Sequence, residues 1–299
     1  MRRTVSHLQA AGLALLGYSL WVLCDVSLKF AGASTLPRLE IIALVGLAAA
    51  LIVMLAAAVR GQIRSLLPRQ PVRQVLRSLL DMGNNIGVLI ALQHASLTMF
   101  YILVFLSPLV AAVLAHLWLR ERLGWQRILA LALGFCGIVI AVNPLSAVHH
   151  ADAIGYAACA VCVACFSANM VWSRRLTQTE SANSLAFVSG ITIALVAGAC
   201  TAGHLQSVSL RMSGVIVAIS VFGVVGNLCF FFALRHAATA YVSQFHYSQL
   251  PVGAVIGYVL WGERLTLAML LGAILIVAAG MYTAATEKPS VASEIAVTG

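Results

Sequence analysis

The sequence predicts an all-α integral membrane protein whose ten transmembrane helices form two inverted five-helix repeats. Composition, the length of the apolar runs and an internal duplication support this fold class. Hydrophobic residues make up 62% of the 299 residues, charged residues only 9%, and the mean hydropathy is +0.99. A water-facing surface cannot be built from that composition, so most of the surface must face lipid.

The apolar runs are long and continuous, whereas a membrane β-barrel alternates apolar and polar residues over short segments. At roughly 20 residues per span, the chain has room for about ten helices. The candidate spans are residues 8–30, 38–59, 76–94, 97–119, 126–142, 152–173, 183–203, 213–235, 239–261 and 266–284. We assign residues 1–142 to the first repeat and 143–285 to the second. Residues 286–299 lack apolar periodicity, which predicts a disordered tail.

Basic residues predict the orientation. If the N-terminus is cytoplasmic, all but four of the 18 Lys and Arg residues fall on the cytoplasmic side, with the loop from Arg60 to Arg77 contributing most. The positive-inside rule then places both termini in the cytoplasm and the chain in a bacterial-type inner membrane. The formal charge of +9 therefore indicates orientation and not a nucleic-acid partner. The partners expected are membrane lipid and a small molecule, and the sequence is compatible with a monomer or a dimer.

The seven cysteines lie inside apolar segments, which argues against a disulfide framework. Cys159, Cys162 and Cys165 follow one helix face, a spacing that suits either a soft-metal site or small residues packing between helices. We favour packing, and we predict no metal and no cofactor.

An internal duplication appears when the chain is compared with itself at an offset of 142 residues. Residues 91–123 align with residues 233–265 without a gap, and ten of the 33 positions are identical. The identities include His94 with His236 and Glu121-Arg122 with Glu263-Arg264. A unit with five spans must cross the membrane in the opposite sense in its second copy, so the repeats are inverted. Inverted repeats are typical of transporters that work by alternating access.

The segments around this duplication resemble a known signature. Ala91-Leu92 with His94-Ala95, then Pro108, then Glu121-Arg122-Leu123 resemble the EamA signature of the drug/metabolite transporter superfamily, and the second half repeats the pattern. The second proline, Pro251, lies one position beyond the equivalent of Pro108. The resemblance implies ten helices, cytoplasmic termini and a central cavity lined by helices 1, 3, 4, 6, 8 and 9. Many members export amino acids or related metabolites, and others carry vitamins, nucleotide sugars or drugs.

Two carboxylates lie within predicted spans. A carboxylate at membrane depth is costly unless it is paired, hydrated or protonated, so each is a candidate functional group. Asp25 shares a helix face with Trp21 and Lys29, which leaves open a substrate or proton site or an ion pair with Lys29. For Asp81 a structural pair with Arg77, one turn away, is favoured.

Polar and aromatic residues supply the other candidates. Asn85 and Asn227 occupy equivalent repeat positions, and the ninth span is unusually polar. Pro108 and Pro251 predict kinks in the fourth and ninth spans. Asp25 and His246 are candidates for proton coupling, whereas Glu121 and Glu263 at the span ends are expected to form interfacial salt bridges or to anchor helices, and not to bind substrate. The full set of candidate substrate-binding residues is Trp21, Asp25, Asn85, Tyr101, Phe105, Asn169, Asn227, Tyr241, Gln244, His246 and Tyr247.

These features predict a secondary active transporter of a small polar metabolite, first an exporter of amino acids or their derivatives and alternatively an uptake carrier for a vitamin or other metabolite. An intramembrane enzyme would need a nucleophile with its base, a metal triad or paired acids, and the sequence shows no such motif. A channel would normally show rings of like charge or a carbonyl filter. No phosphate-binding loop for ATP is present either, which favours secondary transport.

Overall fold

The computed structural model describes residues 7–119, 125–142, 152–201, 206–237, 242 and 244–286, and within them every regular element is a helix. The α-helices are α1 (His7–Gly32), α2 (Arg38–Val59), α3 (Pro71–His94), α4 (Leu97–Val104), α5 (Ser107–Leu119), α6 (Trp125–Val142), α7 (Ala153–Leu176), α8 (Ala182–Cys200), α9 (Leu210–His236), α10 (Gln249–Trp261) and α11 (Leu267–Thr286). Short 3₁₀ helices span Ile63–Leu66 and Gln244–Ser248. Among the described residues, six helices, α1, α2, α3, α7, α8 and α9, are long and apolar enough to cross a membrane.

Capping groups explain where several helices begin. Hydroxyls of Ser96, Ser181 and Ser209 accept hydrogen bonds from backbone N–H groups three residues later, which caps α4, α8 and α9. Pro71 begins α3, and the Glu180 carboxylate accepts the N–H groups of the two preceding residues. The third span therefore begins five residues earlier than predicted, because this start is stabilised by a distant carboxylate and not by local hydropathy.

The helices predicted as the fourth and ninth spans are interrupted. The helix breaks at Phe105–Leu106 between α4 and α5, directly before Pro108, which cannot donate a backbone hydrogen bond. In the ninth span a 3₁₀ helix precedes α10, and Pro251 is the third residue of α10. The continuous helix predicted over 239–261 is therefore wrong for its first part, and side-chain directions inferred from α-helical spacing do not apply there.

Helices pack through small residues. The closest pairs are α1 with α9, α2 with α8, α3 with α7 and α6 with α11. Gly46 and Gly190 face each other between α2 and α8, where a Cβ on either would lie 2.9 Å from the other's carbonyl oxygen. Without a hydrophobic driving force in lipid, such close backbone approach is a main source of helix association.

The two ends of the bundle differ in charge. One end, which we call the arginine-rich end, carries Arg60, Arg64, Arg69, Arg73 and Arg175. The opposite end carries the C-terminal ends of α1, α3 and α10. Of the predicted disordered tail, residues 286–299, the first residue is wrong because α11 extends to Thr286. Residues 287–299 and the Glu121-Arg122 pair lie outside the described residues.

Candidate functional site

An aromatic cluster fills the middle of the bundle. Its members are Tyr18 and Trp21 on α1, Phe105 at the α4–α5 break, Phe166 on α7, Phe230 on α9 and His246 in the second 3₁₀ helix. The Trp21 ring lies 5.0 Å from that of Phe230 and 5.8 Å from that of Phe166. His246 stacks on Tyr18 with ring centroids 5.0 Å apart. The cluster thus joins helices from both halves of the chain, at a level midway along α1.

Asp25 lies one turn beyond Trp21 on α1, toward the opposite end. Its Oδ2 accepts a hydrogen bond of 2.9 Å from the Tyr101 hydroxyl. The buried Tyr101 ring lies against Gly253 of α10, where an added Cβ would come within 2.3 Å of ring atom Cε2. Glycine at this position allows α10 to approach α4 closely enough for Tyr101 to reach Asp25.

Asp81 is the second carboxylate within a helix that is apolar enough to cross a membrane. Its Oδ2 accepts a short hydrogen bond from the Ser189 hydroxyl on α8, and its backbone carbonyl accepts the Asn85 side-chain amide at 2.8 Å. The helices that carry Asp25 and Asp81, α1 and α3, pack against each other. We call Asp25, Tyr101, Asp81 and Ser189 the central carboxylate site.

Neither carboxylate of this site forms an ion pair within 4 Å with a cationic side chain of the described residues. The pairing of Asp25 with Lys29 is wrong, because the Lys29 ammonium binds the Glu263 carboxylate at 2.7 Å and lies over the Trp261 ring. In the described parts of the chain the ion pairs are Lys29–Glu263 and His94–Asp152. Asp25 and Asp81 are therefore held by hydroxyl groups, which do not neutralise them.

Arg77 does not pair with Asp81 either. Its side chain is 0% exposed, one Nη donates to Asn169 Oδ1 at 3.1 Å, and the other donates to the Leu185 carbonyl at 3.2 Å. The guanidinium also lies 5.3 Å from the centre of the Phe231 ring. Placing Arg77 in the basic loop was wrong, because α3 starts at Pro71 and carries this residue into the bundle.

A polar seam joins α3 to α8 on the arginine-rich side of the central carboxylate site. Gln74, Arg77 and Asp81 on α3 bond Ser184, Leu185 and Ser189 on α8 in the same order. Gln74, Arg77 and Ser78 are all buried, whereas the six consecutive residues 81–86 are all partly exposed. A turn of helix takes 3.6 residues, so this exposure includes the inner face of α3. The seam is buried, the turn from Asp81 to Ile86 is partly exposed, and Val88, Leu89 and Leu92 beyond it are buried again.

The other predicted residues lie in three settings. Asn169 is bound to Arg77 and Ser173 at the arginine-rich side, away from the carboxylates. Asn227 is half-buried on α9 and has no hydrogen-bonding partner among the described residues; its pairing with Asn85 across the centre stays a prediction. Tyr241 lies outside the described residues, as does the side chain of Gln244.

Three buried polar atoms near the aromatic cluster lack a hydrogen-bonding partner within the part of the chain that is described. They are the hydroxyls of Tyr18 and Tyr247 and Nδ1 of His246. Tyr247 packs edge-on against Phe105, with centroids 5.3 Å apart. Buried polar atoms normally find a partner, so this region has hydrogen-bonding capacity to offer a ligand or water.

Sequence reasoning missed the aromatic partners Phe166 and Phe230 and the bonds of Arg77. The first two are ordinary residues of apolar spans, and nothing in their spacing distinguishes them from lipid-facing residues. For Arg77 a signal existed, because it follows Pro71 by less than two turns and prolines commonly start helices.

Two comparisons identify relatives of the chain. The model of the EamA-like transporter family matches residues 8–143 and again residues 153–284. The S-adenosylmethionine uptake transporter of Rickettsia bellii is 25% identical over 230 residues, covering 76% of this chain and 77% of that protein. The protein of the same name from Rickettsia felis is 26% identical over 224 residues, or 73% and 74% of the two chains.

A riboflavin transporter of Rhizobium johnstonii is 28% identical over 200 residues, covering 62% of this chain and 61% of that protein. One protein crystal structure superposes with a TM-score of 0.66, covering 91% of this chain and 96% of its own at 18% sequence identity. At that identity the superposition shows a shared fold only. The family and the named relatives point to transport and not to enzymatic catalysis.

Proposed function

The chain belongs to the EamA-like transporter family, and from this premise we propose that it takes up a cationic metabolite with a planar ring by alternating access. The observation that carries the proposal is the central carboxylate site. Asp25 and Asp81 lie within membrane spans, and neither has a cationic partner among the described residues. A cationic substrate supplies the missing charge, and the partly exposed Trp21 ring, one turn away, supplies a surface for stacking and cation–π contact.

S-Adenosylmethionine has the chemistry this site requires. Its sulfonium and ammonium groups outweigh its carboxylate, so it is a net cation, and its adenine ring is planar. Riboflavin has a planar ring but no cationic group, so the site favours the first of the two substrates for which relatives are named. Riboflavin remains the second candidate, because the aromatic cluster alone suits it.

The named relatives and the inside-negative membrane potential both favour uptake over export. A membrane potential that is negative inside contributes about 2.3 kcal/mol per positive charge per 100 mV to inward movement. Export of an amino acid, the first expectation from the sequence, has less support, because the named relatives include uptake carriers. We assign the coupling of transport to protons to Asp25. His246 is the weaker candidate, because the rings of Tyr18, Phe105 and Phe166 enclose it.

Alternating access rests on two inverted halves of five spans each, and two features support them. The family model matches each half separately. Helices α3 and α9 end at the equivalent residues His94 and His236. The residues that follow have nearly the same backbone angles: φ −137° and ψ 156° at Ala95, and φ −133° and ψ 158° at Ala237. The basic residues support cytoplasmic termini in an inner membrane.

The test is uptake of radiolabelled S-adenosylmethionine into proteoliposomes, with and without an inside-negative potassium diffusion potential. We expect the potential to accelerate uptake and Asp25→Asn to reduce it at least tenfold. Asp152→Asn is the matched control, since that carboxylate is exposed and lies outside the bundle centre. Exchange of labelled for unlabelled substrate distinguishes a carrier from a channel, which does not support counterflow.

Three outcomes would contradict the proposal. Full activity of Asp25→Asn in correctly folded protein would remove the central carboxylate site from the mechanism. Transport of riboflavin with no transport of S-adenosylmethionine would overturn the cationic substrate class while keeping the uptake carrier. Accumulation of substrate only inside inverted vesicles, whose lumen corresponds to the outside of the cell, would restore the export alternative.

A further inference from the structure

A groove at the arginine-rich end is separate from the central carboxylate site. It has a volume of about 650 Å³ and lies between the start of α3 and the C-terminal parts of α5 and α7. The residues that matter for its chemistry are Arg73 on α3, Trp118 on α5, and Trp172 and Arg175 on α7. The buried side chains of Val171 and Leu176 form its inner wall, which separates it from the aromatic cluster.

The groove is positively charged. Arg73 and Arg175 are exposed, and no carboxylate is among the described residues that line it. The nearest acid, Glu180, is buried and turned inward, where its two oxygens accept the N–H groups of Arg69 and Gln70. Arg73 donates to the Gln70 side chain, and Arg175 has no hydrogen-bonding partner among the described residues. Two guanidinium groups are thus available to an anion.

The remaining walls suit a lipid. Trp118 and Trp172 meet edge to face with centroids 6.5 Å apart, and tryptophan is enriched at the level of lipid headgroups. From the start of α3 toward the membrane centre, Val72, Leu76 and Leu79 are 70%, 45% and 41% exposed. Residues spaced by three or four share a helix face, so these side chains form an apolar stripe that continues from Arg73 into the hydrocarbon layer.

We propose that the groove binds one anionic phospholipid, with its phosphate between Arg73 and Arg175 and its acyl chains along the apolar stripe. The two arginines lie on different halves of the chain, α3 in the first and α7 in the second. A bound headgroup therefore ties the halves together at the arginine-rich end. This binding is independent of which substrate is transported.

The test measures thermal unfolding of the full chain in mixed micelles that contain either phosphatidylglycerol or phosphatidylcholine. Each arginine near an anionic lipid surface contributes roughly a factor of five in affinity, or about 30-fold for both. We expect phosphatidylglycerol to raise the Tm of the wild type, and Arg73→Gln with Arg175→Gln to require about 30-fold more lipid for half of that rise. Arg60→Gln with Arg64→Gln is the matched control, because it removes the same charge outside the groove.

Four outcomes decide the matter. Equal losses of phosphatidylglycerol affinity in the groove and control variants would indicate diffuse electrostatic attraction of the lipid and no specific site. The same Tm in the two lipids would contradict binding of an anionic lipid altogether. A Tm rise of the same size from inorganic phosphate would replace the lipid with a free anion. Phosphatidylglycerol copurifying with the wild type and the control, and absent from the groove variant by lipid phosphorus analysis, supports it.

Discussion

The contact between Lys29 and Glu263 provides a sharp test of how charge is handled inside this protein. Glu263 Oε1 accepts the Lys29 ammonium at 2.7 Å and the Leu97 N–H at 2.9 Å, while Oε2 accepts the N–H and the hydroxyl of Thr98. The carboxylate reaches α4 because Gly262 ends α10 with φ of +66°, a conformation that favours glycine. One side chain therefore binds the end of α1, caps α4 and anchors α10.

Glu263→Gln removes the charge and keeps the shape. One oxygen remains, but the amide group places donors against donors at Thr98, and the Lys29 ammonium loses its counter-charge. Breaking a buried ion pair by removing one partner costs about 3–5 kcal/mol. The two side chains here are 14% and 11% exposed, and Lys29 keeps the Trp261 ring at 4.4 Å. We therefore expect the free energy of unfolding to fall by about 2–4 kcal/mol.

The assay is equilibrium unfolding in detergent for Glu263→Gln, Lys29→Met and the double variant. The double-mutant cycle isolates the pairwise coupling, which we expect to be about 1–3 kcal/mol. Asp152→Asn is the internal control: the His94–Asp152 pair has the same 2.7 Å separation, but its side chains are 24% and 55% exposed. Asparagine also retains an oxygen for the Gly155 N–H that Asp152 caps. No resolvable change is expected there, because water and salt screen exposed pairs.

These expectations depend on the exposure of the side chains in each ion pair. A loss in Asp152→Asn equal to that in Glu263→Gln would show that separation, and not burial, sets the strength of these pairs. A coupling near zero in the cycle would assign the loss in Glu263→Gln to the capping of α4 alone.

Two further substitutions test the interior. Arg77→Lys retains the charge but cannot reach both Asn169 and the Leu185 carbonyl, so unfolding measurements should show a loss of about 2–4 kcal/mol, whereas exposed Arg73→Lys should change little. Gly253→Ala drives a methyl group into the Tyr101 ring and should lower both stability, by about 1–3 kcal/mol, and substrate uptake. Gly214→Ala, with open space around its Cβ, should be neutral or stabilising by up to about 1 kcal/mol. A stable, fully active Gly253→Ala, or an unaltered Arg77→Lys, would contradict these assignments.

The sequence predicted the membrane class and the family because both depend on composition and on local motifs. Hydropathy identifies a span such as α2, and the expected salt bridge at Glu263 is confirmed. The sequence could not predict which side chains bond to each other, because that depends on which helices become neighbours in the fold. Lys29 lies one turn from Asp25 in sequence, yet its ammonium reaches Glu263, 234 residues away. Asp81 likewise has Arg77 one turn away and bonds Ser189 instead.

The partners of Lys29 and Asp81 have a common consequence. Within each helix the simplest arrangement is an i, i+4 ion pair, and both Asp25 and Asp81 have a cation at that spacing. In the structure the cations Lys29 and Arg77 are bound elsewhere, one to a carboxylate and one to an amide and a carbonyl. The two aspartates are left with hydroxyl partners. An arrangement that leaves two carboxylates at membrane depth without an ion pair is costly as packing alone, and the cationic substrate that we propose would offset that cost on each passage.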